Sequence, residues 1–238
     1  MPDPATQQLL VVPIRSFHGT CDQEALFSPA DEAEIDAHWN AALEAKPAMF
    51  DGRVLLGTEV FIRDGGLFAR YAEVAFSAFN WWREKGARSD LRNVFGAAAV
   101  VSADGSVLLG RMAPHTAAAG KIYFPCGTPD LSDIRDGGVD LEYSISRELE
   151  EETGLATPDV RASPHAFAIF APKVVAYVRR YDTDLTEAEL KLRVEAHLAA
   201  DPAPELDRII FARSVDELTG ASPEYVHLAL PPLLRSAV

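Results

Sequence analysis

The stretch Arg147-Glu148-Leu149-Glu150-Glu151-Glu152-Thr153-Gly154-Leu155 decides how this chain is read. On a helix, Glu148, Glu151 and Glu152 stand at i, i+3 and i+4, so their carboxylates share one face. Leu141, Ile145 and Leu149 recur every four residues and form an adjoining apolar edge that would pin the helix to a sheet. The pattern predicts a helix from about Asp140 to Thr153, ending at Gly154. Like charges at this spacing repel by roughly a few tenths of a kcal/mol per pair on an exposed helix. A hard cation accounts for such a cluster, and magnesium or manganese fits, because both prefer oxygen ligands and neither needs Cys or His. Taken alone, the run also allows a solvated charged helix in which Arg147 pairs with Glu151.

The context favours the metal. The order Arg-Glu-Leu-x-Glu-Glu-x-Gly-Leu follows a Pro125-Cys126-Gly127 turn, and together they resemble the C-terminal part of the Nudix box. The resemblance to the Nudix hydrolase family covers roughly residues 94 to 218. It implies an α/β fold, an α/β/α sandwich with a mixed sheet. By the same resemblance, Glu148, Glu151 and Glu152 are metal ligands, Arg147 orients a carboxylate, and Gly127 lets backbone approach the site. The activity implied is a pyrophosphohydrolase dependent on Mg2+ (or Mn2+), in which water attacks a phosphorus of a diphosphate bridge. Related enzymes often use a further acid from beyond the box as base or additional ligand. Glu205 and Asp207 are the candidates here, with Glu195 and Glu189 behind them.

Two departures from the family pattern stand out. Gly127 and Arg147 are 20 positions apart where the family motif has 14, so the loop between them is enlarged. The family's first glutamate falls on Val139, with Asp140 beside it; Asp140 is read as the helix N-cap in preference to a replacement ligand. Cys126 takes the place of a motif glycine and is read as a buried turn residue rather than a nucleophile, since the implied chemistry uses water.

Outward from this segment, Ser28-Pro29-Ala30-Asp31 carries the signature of a helix start, and Ile35, Trp39 and Leu43 continue it to about Lys46-Pro47. Residues 53 to 63 and 67 to 76 flank Asp64-Gly65-Gly66 and predict a hairpin. Phe79-Asn80-Trp81-Trp82 and a charged patch lead to a second half that opens with strand-like runs on either side of Ala103-Asp104-Gly105. A single strand-like segment is expected from His165 to Arg179, a helix from Thr186 to about Ala200, a strand at Arg208 to Arg213, and a last helix opened by Ser222-Pro223. The chain is thus divided into an N-terminal α+β extension, 1 to 92, of one helix plus a β-hairpin, and a Nudix-like domain, 93 to 238.

The 238 residues, 48% hydrophobic, can bury a sizeable core. A formal net charge of −14 argues against a nucleic-acid polymer as partner, because phosphate neutralisation needs a basic surface. A small nucleotide remains compatible, its charge met by metal and a few cations; Arg111 and Lys121 are candidates for its phosphates and Trp82 for stacking on a base. Cys21 and Cys126 match neither a zinc spacing nor a disulfide framework, and neither a leader nor a membrane span is evident, so a cytoplasmic monomer or homodimer is expected. The arrangement of Trp39, Phe50-Asp51-Gly52 and Trp81-Trp82 before the box is similar to UDP-glucose-hydrolysing Nudix proteins, which implies a nucleotide sugar as substrate. ADP-ribose, dinucleotides or coenzyme A would serve the same helix, and a nucleotide-sensing module without turnover is the reading from another class.

Overall fold

The computed structural model describes residues 10–22, 25–47, 49–86 and 88–235. The described residues open with two strands, β1 (Leu10–Ile14) and β2 (Ser16–Asp22), followed by α1 (Pro29–Ala45). Ser28 caps α1 as its sequence predicts: its Oγ accepts from the Asp31 amide, and the Asp31 carboxylate accepts from the Ser28 amide at 2.8 Å. A hairpin of β3 (Arg53–Arg63) and β4 (Gly66–Ala75) turns through Asp64 and Gly65, both at positive φ, and runs directly into α2 (Phe76–Lys85). The second half contains β5 (Asn93–Val101), β6 (Val107–Met112), and the short strands β7 (Ile122–Tyr123) and β8 (Cys126–Gly127). A hairpin of β9 (Ile134–Arg135) and β10 (Gly138–Val139) precedes α3 (Leu141–Thr153). The chain ends with β11 (Arg161–Ala171), β12 (Val174–Asp182), α4 (Glu187–Ala200), β13 (Leu206–Ala212) and α5 (Glu224–Arg235).

The larger sheet runs β1-β11-β12-β5-β6-β13 and is mixed: β12 and β5 are parallel, and the other pairs along this path are antiparallel. Alternation along β5 builds a layer on each face. Val94, Ala98 and Val100 join a core with Leu141, Ile145 and Leu149 of α3 and with Leu190 and Val194 of α4. Phe95, Ala97, Ala99 and Val101 face Val226, Ala229 and Leu230 of α5. The α/β/α sandwich with a mixed sheet is therefore present. Gly96 lies beneath α3, where a Cβ would come within 2.4 Å of the Ile145 side chain, so the helix sits close on the sheet because that position is bare.

Three features depart from the sequence reading. The expected single run from His165 to Arg179 is two antiparallel strands, β11 and β12, reversing near Lys173 at φ 59° without a glycine to mark the turn. The extension holds two helices, not one, and its sheet is five-stranded, β3-β4-β2-β10-β9. Strand pairing also crosses residue 92 in both directions: β1 forms an edge of the large sheet, and β10 of the enlarged loop pairs with β2. A third core, including Leu56, Val74, Phe79, Trp81, Trp82 and Leu91, fixes α2 against β3 and β4. Among the described residues, no helix is long and apolar enough to cross a membrane.

Candidate active site

Helix α3 carries the acidic face to one end of the sheet. Its N-cap is Asp140, whose Oδ1 accepts from the Tyr143 amide at 3.0 Å, and its C-cap is Gly154 in the left-handed region at φ 69°. Val139 is a core residue paired with Gly19 across β10 and β2. Val139 thus belongs to a strand that ties the loop before α3 to the extension.

Glu152 is only 4% exposed. Its Oε2 accepts from the Cys126 amide at 3.2 Å, and its Oε1 is buried with no hydrogen-bond partner among the described residues. Burial, with the neighbouring charges of Glu148 and Glu205, pushes its carboxyl well above the usual range. The Glu148 carboxyl is pushed up to about 7, first by burial and against the pull of Arg147, with Glu151, Glu205 and Asp133 adding to the rise. Glu148 packs over Gly127, where a Cβ would lie 2.2 Å from its Oε1, so any side chain at 127 would push this carboxylate out of its place. Glu205, on the chain entering β13, lines the same cleft as Glu148.

Arg147 forms the back of the site. Its Nη1 donates to Glu151 at 2.9 Å, and its Nη2 lies 2.9 Å from Glu148 and 3.3 Å from both oxygens of Asp133. Burial alone would lower its pKa, but the carboxylates of Glu148, Asp133 and Glu151 raise it above the ordinary arginine value. Asp133 was not singled out from the sequence. It is fully buried, and it also accepts from Ser144 Oγ at 3.1 Å and the Asp130 amide at 3.0 Å. The Asp130-x-x-Asp133 spacing of a capping box was its one local signal.

The helix therefore brings Glu148 and Glu152 together with Glu205 and Gly127, while Glu151 is exposed and engaged by Arg147. No three His, Cys, Asp or Glu groups among the described residues already converge as a complete ligand set. A divalent cation nevertheless fits the donors: Glu152 has a buried oxygen without a partner among the described residues, and the desolvated Glu148 beside it has Arg147 on one side and the open cleft on the other. Cys126 supplies its amide to Glu152, and its thiol is pushed up by burial and by Glu152.

Other expected residues lie elsewhere. Arg111 and Asp207 form a two-pronged ion pair across β6 and β13, at 2.7 and 3.0 Å, and line none of the clefts described here. Trp82 is a correction: it is 1% exposed, donates its indole N–H to the Arg88 carbonyl at 3.2 Å, and has no face open to a base. Lys121 lines a second cleft of about 470 Å³ that adjoins the first, of about 410 Å³, at Tyr123 and residues 126 to 128. From the extension, Phe50, Phe76, Phe79 and Arg83 complete the wall of the first cleft.

No protein-family model matches this chain. No curated protein matches it either. Among solved structures, the chain is similar to a Nudix hydrolase from M. smegmatis, at 14% identity and TM-score 0.39, over 60% of this chain and 83% of that one. It is similar to the MutT protein from Methanosarcina mazei Go1, at 17% identity and TM-score 0.39, over 61% and 94%. It is also similar to a Nudix hydrolase from Nitrosomonas europaea, at 14% and 0.36, over 75% and 86%. These likenesses are distant, and the chemistry that follows rests on the residues of this chain.

Proposed function

We propose that this chain is a Nudix-type, divalent-metal-dependent pyrophosphohydrolase that cleaves the diphosphate bridge of a nucleoside diphosphate linked to another group. The observation that carries this reading is the buried oxygen of Glu152, without a partner among the described residues, beside Glu148 on a helix whose sequence resembles the Nudix box. Magnesium or manganese, held by Glu148 and Glu152 with Glu151 as a further ligand, would supply an acidified water and neutralise charge on the phosphoryl oxygens.

The protein's own groups have separable tasks. The Cys126 amide orients Glu152, and Arg147 holds the Glu148 and Glu151 carboxylates while Asp133 holds Arg147. Glu205 is the acid outside the helix that faces the cleft, and we assign it the proton of the attacking water. The new bond joins the water oxygen to one phosphorus as the bridging P–O bond breaks, and the leaving phosphate departs with the other group. Positioning and electrostatics carry such a transfer, and no covalent intermediate is needed.

The preferred substrate in this reading is a nucleotide sugar such as UDP-glucose, giving a nucleoside monophosphate and a sugar 1-phosphate. Its support is the extension, whose aromatic wall gives the cleft a second half suited to the non-reacting part of such a molecule. The test is a turnover screen with magnesium or manganese against UDP-glucose, other nucleotide sugars, ADP-ribose, dinucleotides and coenzyme A, with products identified by mass. Release of a mononucleotide from one class supports the reading and selects the substrate. Binding of a nucleotide without release of any product would make the chain a sensor and refute it.

A further inference from the structure

Phe76, Phe79 and Arg83 stand at i, i+3 and i+7 on α2, so one face of that helix points them into the catalytic cleft. The other sides of α2 are locked: Trp81 and Trp82 are 2% and 1% exposed in the core of the extension, so the helix cannot easily turn. Arg83 is thus a cation at a fixed place. It remains open to solvent, although enough protein surrounds it that desolvation lowers its pKa below the ordinary value.

Its donors are largely unspent. Nη2 donates to Asn80 Oδ1 at 2.7 Å, and the guanidinium carbon lies 5.7 Å from the centre of the Phe79 ring. Among the described residues it forms no ion pair, and the adjacent Glu84 is engaged by His38 at 2.8 Å. A guanidinium has five N–H donors in a fork that matches phosphate oxygens. Tyr123 lines the same cleft and is pushed up by burial first and then by Cys126, Glu152 and Glu205, while Arg83 pulls it the other way. Arg83, Tyr123, Glu148 and Glu205 line one cleft, so a diphosphate reaching from a cation held by the acids to Arg83 would meet positive charge at both ends.

Phe50 marks the outer rim. Its ring is 82% exposed, unlike the buried aromatics behind it, yet it lines the same cleft as Arg83 and Glu148. An open aromatic ring at the rim of a cleft offers a face on which a flat aromatic group can stack, and covering it would bury apolar surface.

We propose that Arg83 and Phe50 of the extension are the specificity wall of this site, Arg83 binding the phosphate farther from the carboxylates and Phe50 stacking on the nucleobase beyond it. The inference rests on the pyrophosphohydrolase reading for the identity of the ligand, but its test does not depend on turnover. Wild type, Arg83→Gln, Arg83→Lys and Phe50→Ala would be titrated calorimetrically with UDP, ADP and inorganic pyrophosphate in magnesium buffer.

Arg83→Gln is expected to weaken all three ligands by about tenfold or more, through loss of charge-assisted hydrogen bonds, with the thermal midpoint unchanged. Arg83→Lys should recover part of that loss, since it restores charge without the fork. Phe50→Ala should weaken the nucleotides about tenfold and leave pyrophosphate unaffected, in line with the loss of one stacking contact. Equal affinities in wild type and Arg83→Gln, or wild type binding none of the three, would overturn the proposal. If cleavage were absent but these differences held, the hydrolase reading alone would fail.

Discussion

Replacing Glu152 by Gln exchanges a buried charge for a neutral group of nearly the same volume. In the metal-free protein the Glu152 carboxylate is 4% exposed, one of its oxygens has no partner among the described residues, and Glu148 and Glu205 both repel it. A Gln oxygen can still accept from the Cys126 amide, while its NH2 would face the neighbouring carboxylates as a donor. Relieving one unsatisfied buried polar group is worth about 1–3 kcal/mol. For a chain of this size that corresponds to roughly 2–4 °C in Tm per kcal/mol. Glu152→Gln is therefore expected to be the more stable protein in chelator at pH 8 and to have lost turnover in magnesium. Because the carboxyl is raised in the fold, the advantage should shrink on acidification and vanish near pH 4, where both states of the wild type are protonated. The assay is calorimetric melting of both proteins in chelator and in magnesium. Equal or lower stability of the variant in chelator at pH 8, or full activity in it, would refute the electrostatic reasoning.

Other perturbations reach the same site by different routes. Gly127→Ala would drive a methyl into Glu148, where the built Cβ lies 2.2 Å from Oε1; turnover should fall by about 10²-fold or more, the scale for misplacing a reacting group by about 1 Å. Asp133→Ala would remove a buried partner of Arg147 and Ser144 and should cost on the order of 3–5 kcal/mol in denaturant unfolding; an unchanged midpoint would remove Asp133 from the scaffold. In chelator, Glu148 should make stability fall as pH rises from about 4.5 to about 7, because the folded state holds its proton longer than the unfolded state. Saturating magnesium should flatten that slope, and a melting series across this range reads both.

How much of this was visible before the structure depended on whether the signal was local. The Ser28, Asp140 and Thr186 caps and the Gly154 stop are short-range chemistry, and each lies where the sequence places it. Helix α2 was missed because Ala75 caps it without a side-chain bond and residues 77 to 82 are all buried, leaving no polar stripe to reveal a period. The turn at Lys173 lacks a glycine, so two strands read as one. Strand β1, with Pro13 in it, is tolerated at a sheet edge, and its partner is some 150 residues away, which no local pattern discloses.

The site divides in the same way. Glu148, Glu152 and Gly127 follow from helical spacing and the motif, and the structure brings them together. Arg111 and Asp207 looked like a phosphate binder and a base because each was weighed singly, whereas the pairing of β6 with β13, which is irregular between Leu206 and Arg208, brings their side chains into an ion pair. Trp82 and Arg83 are neighbours in sequence, but on a helix they point about 100° apart. One anchors the core and the other faces the cleft, and that depended on which way α2 was turned.

The most direct test of the account is hydrolysis in 18O-labelled water, with the cleaved substrate class assayed in magnesium and again in chelator and both products weighed. The account predicts two phosphorylated products, a single heavy oxygen confined to one of them, and no cleavage in chelator. Cleavage that survives chelation, or no cleavage of any diphosphate-bridged nucleotide with magnesium or manganese, would contradict it.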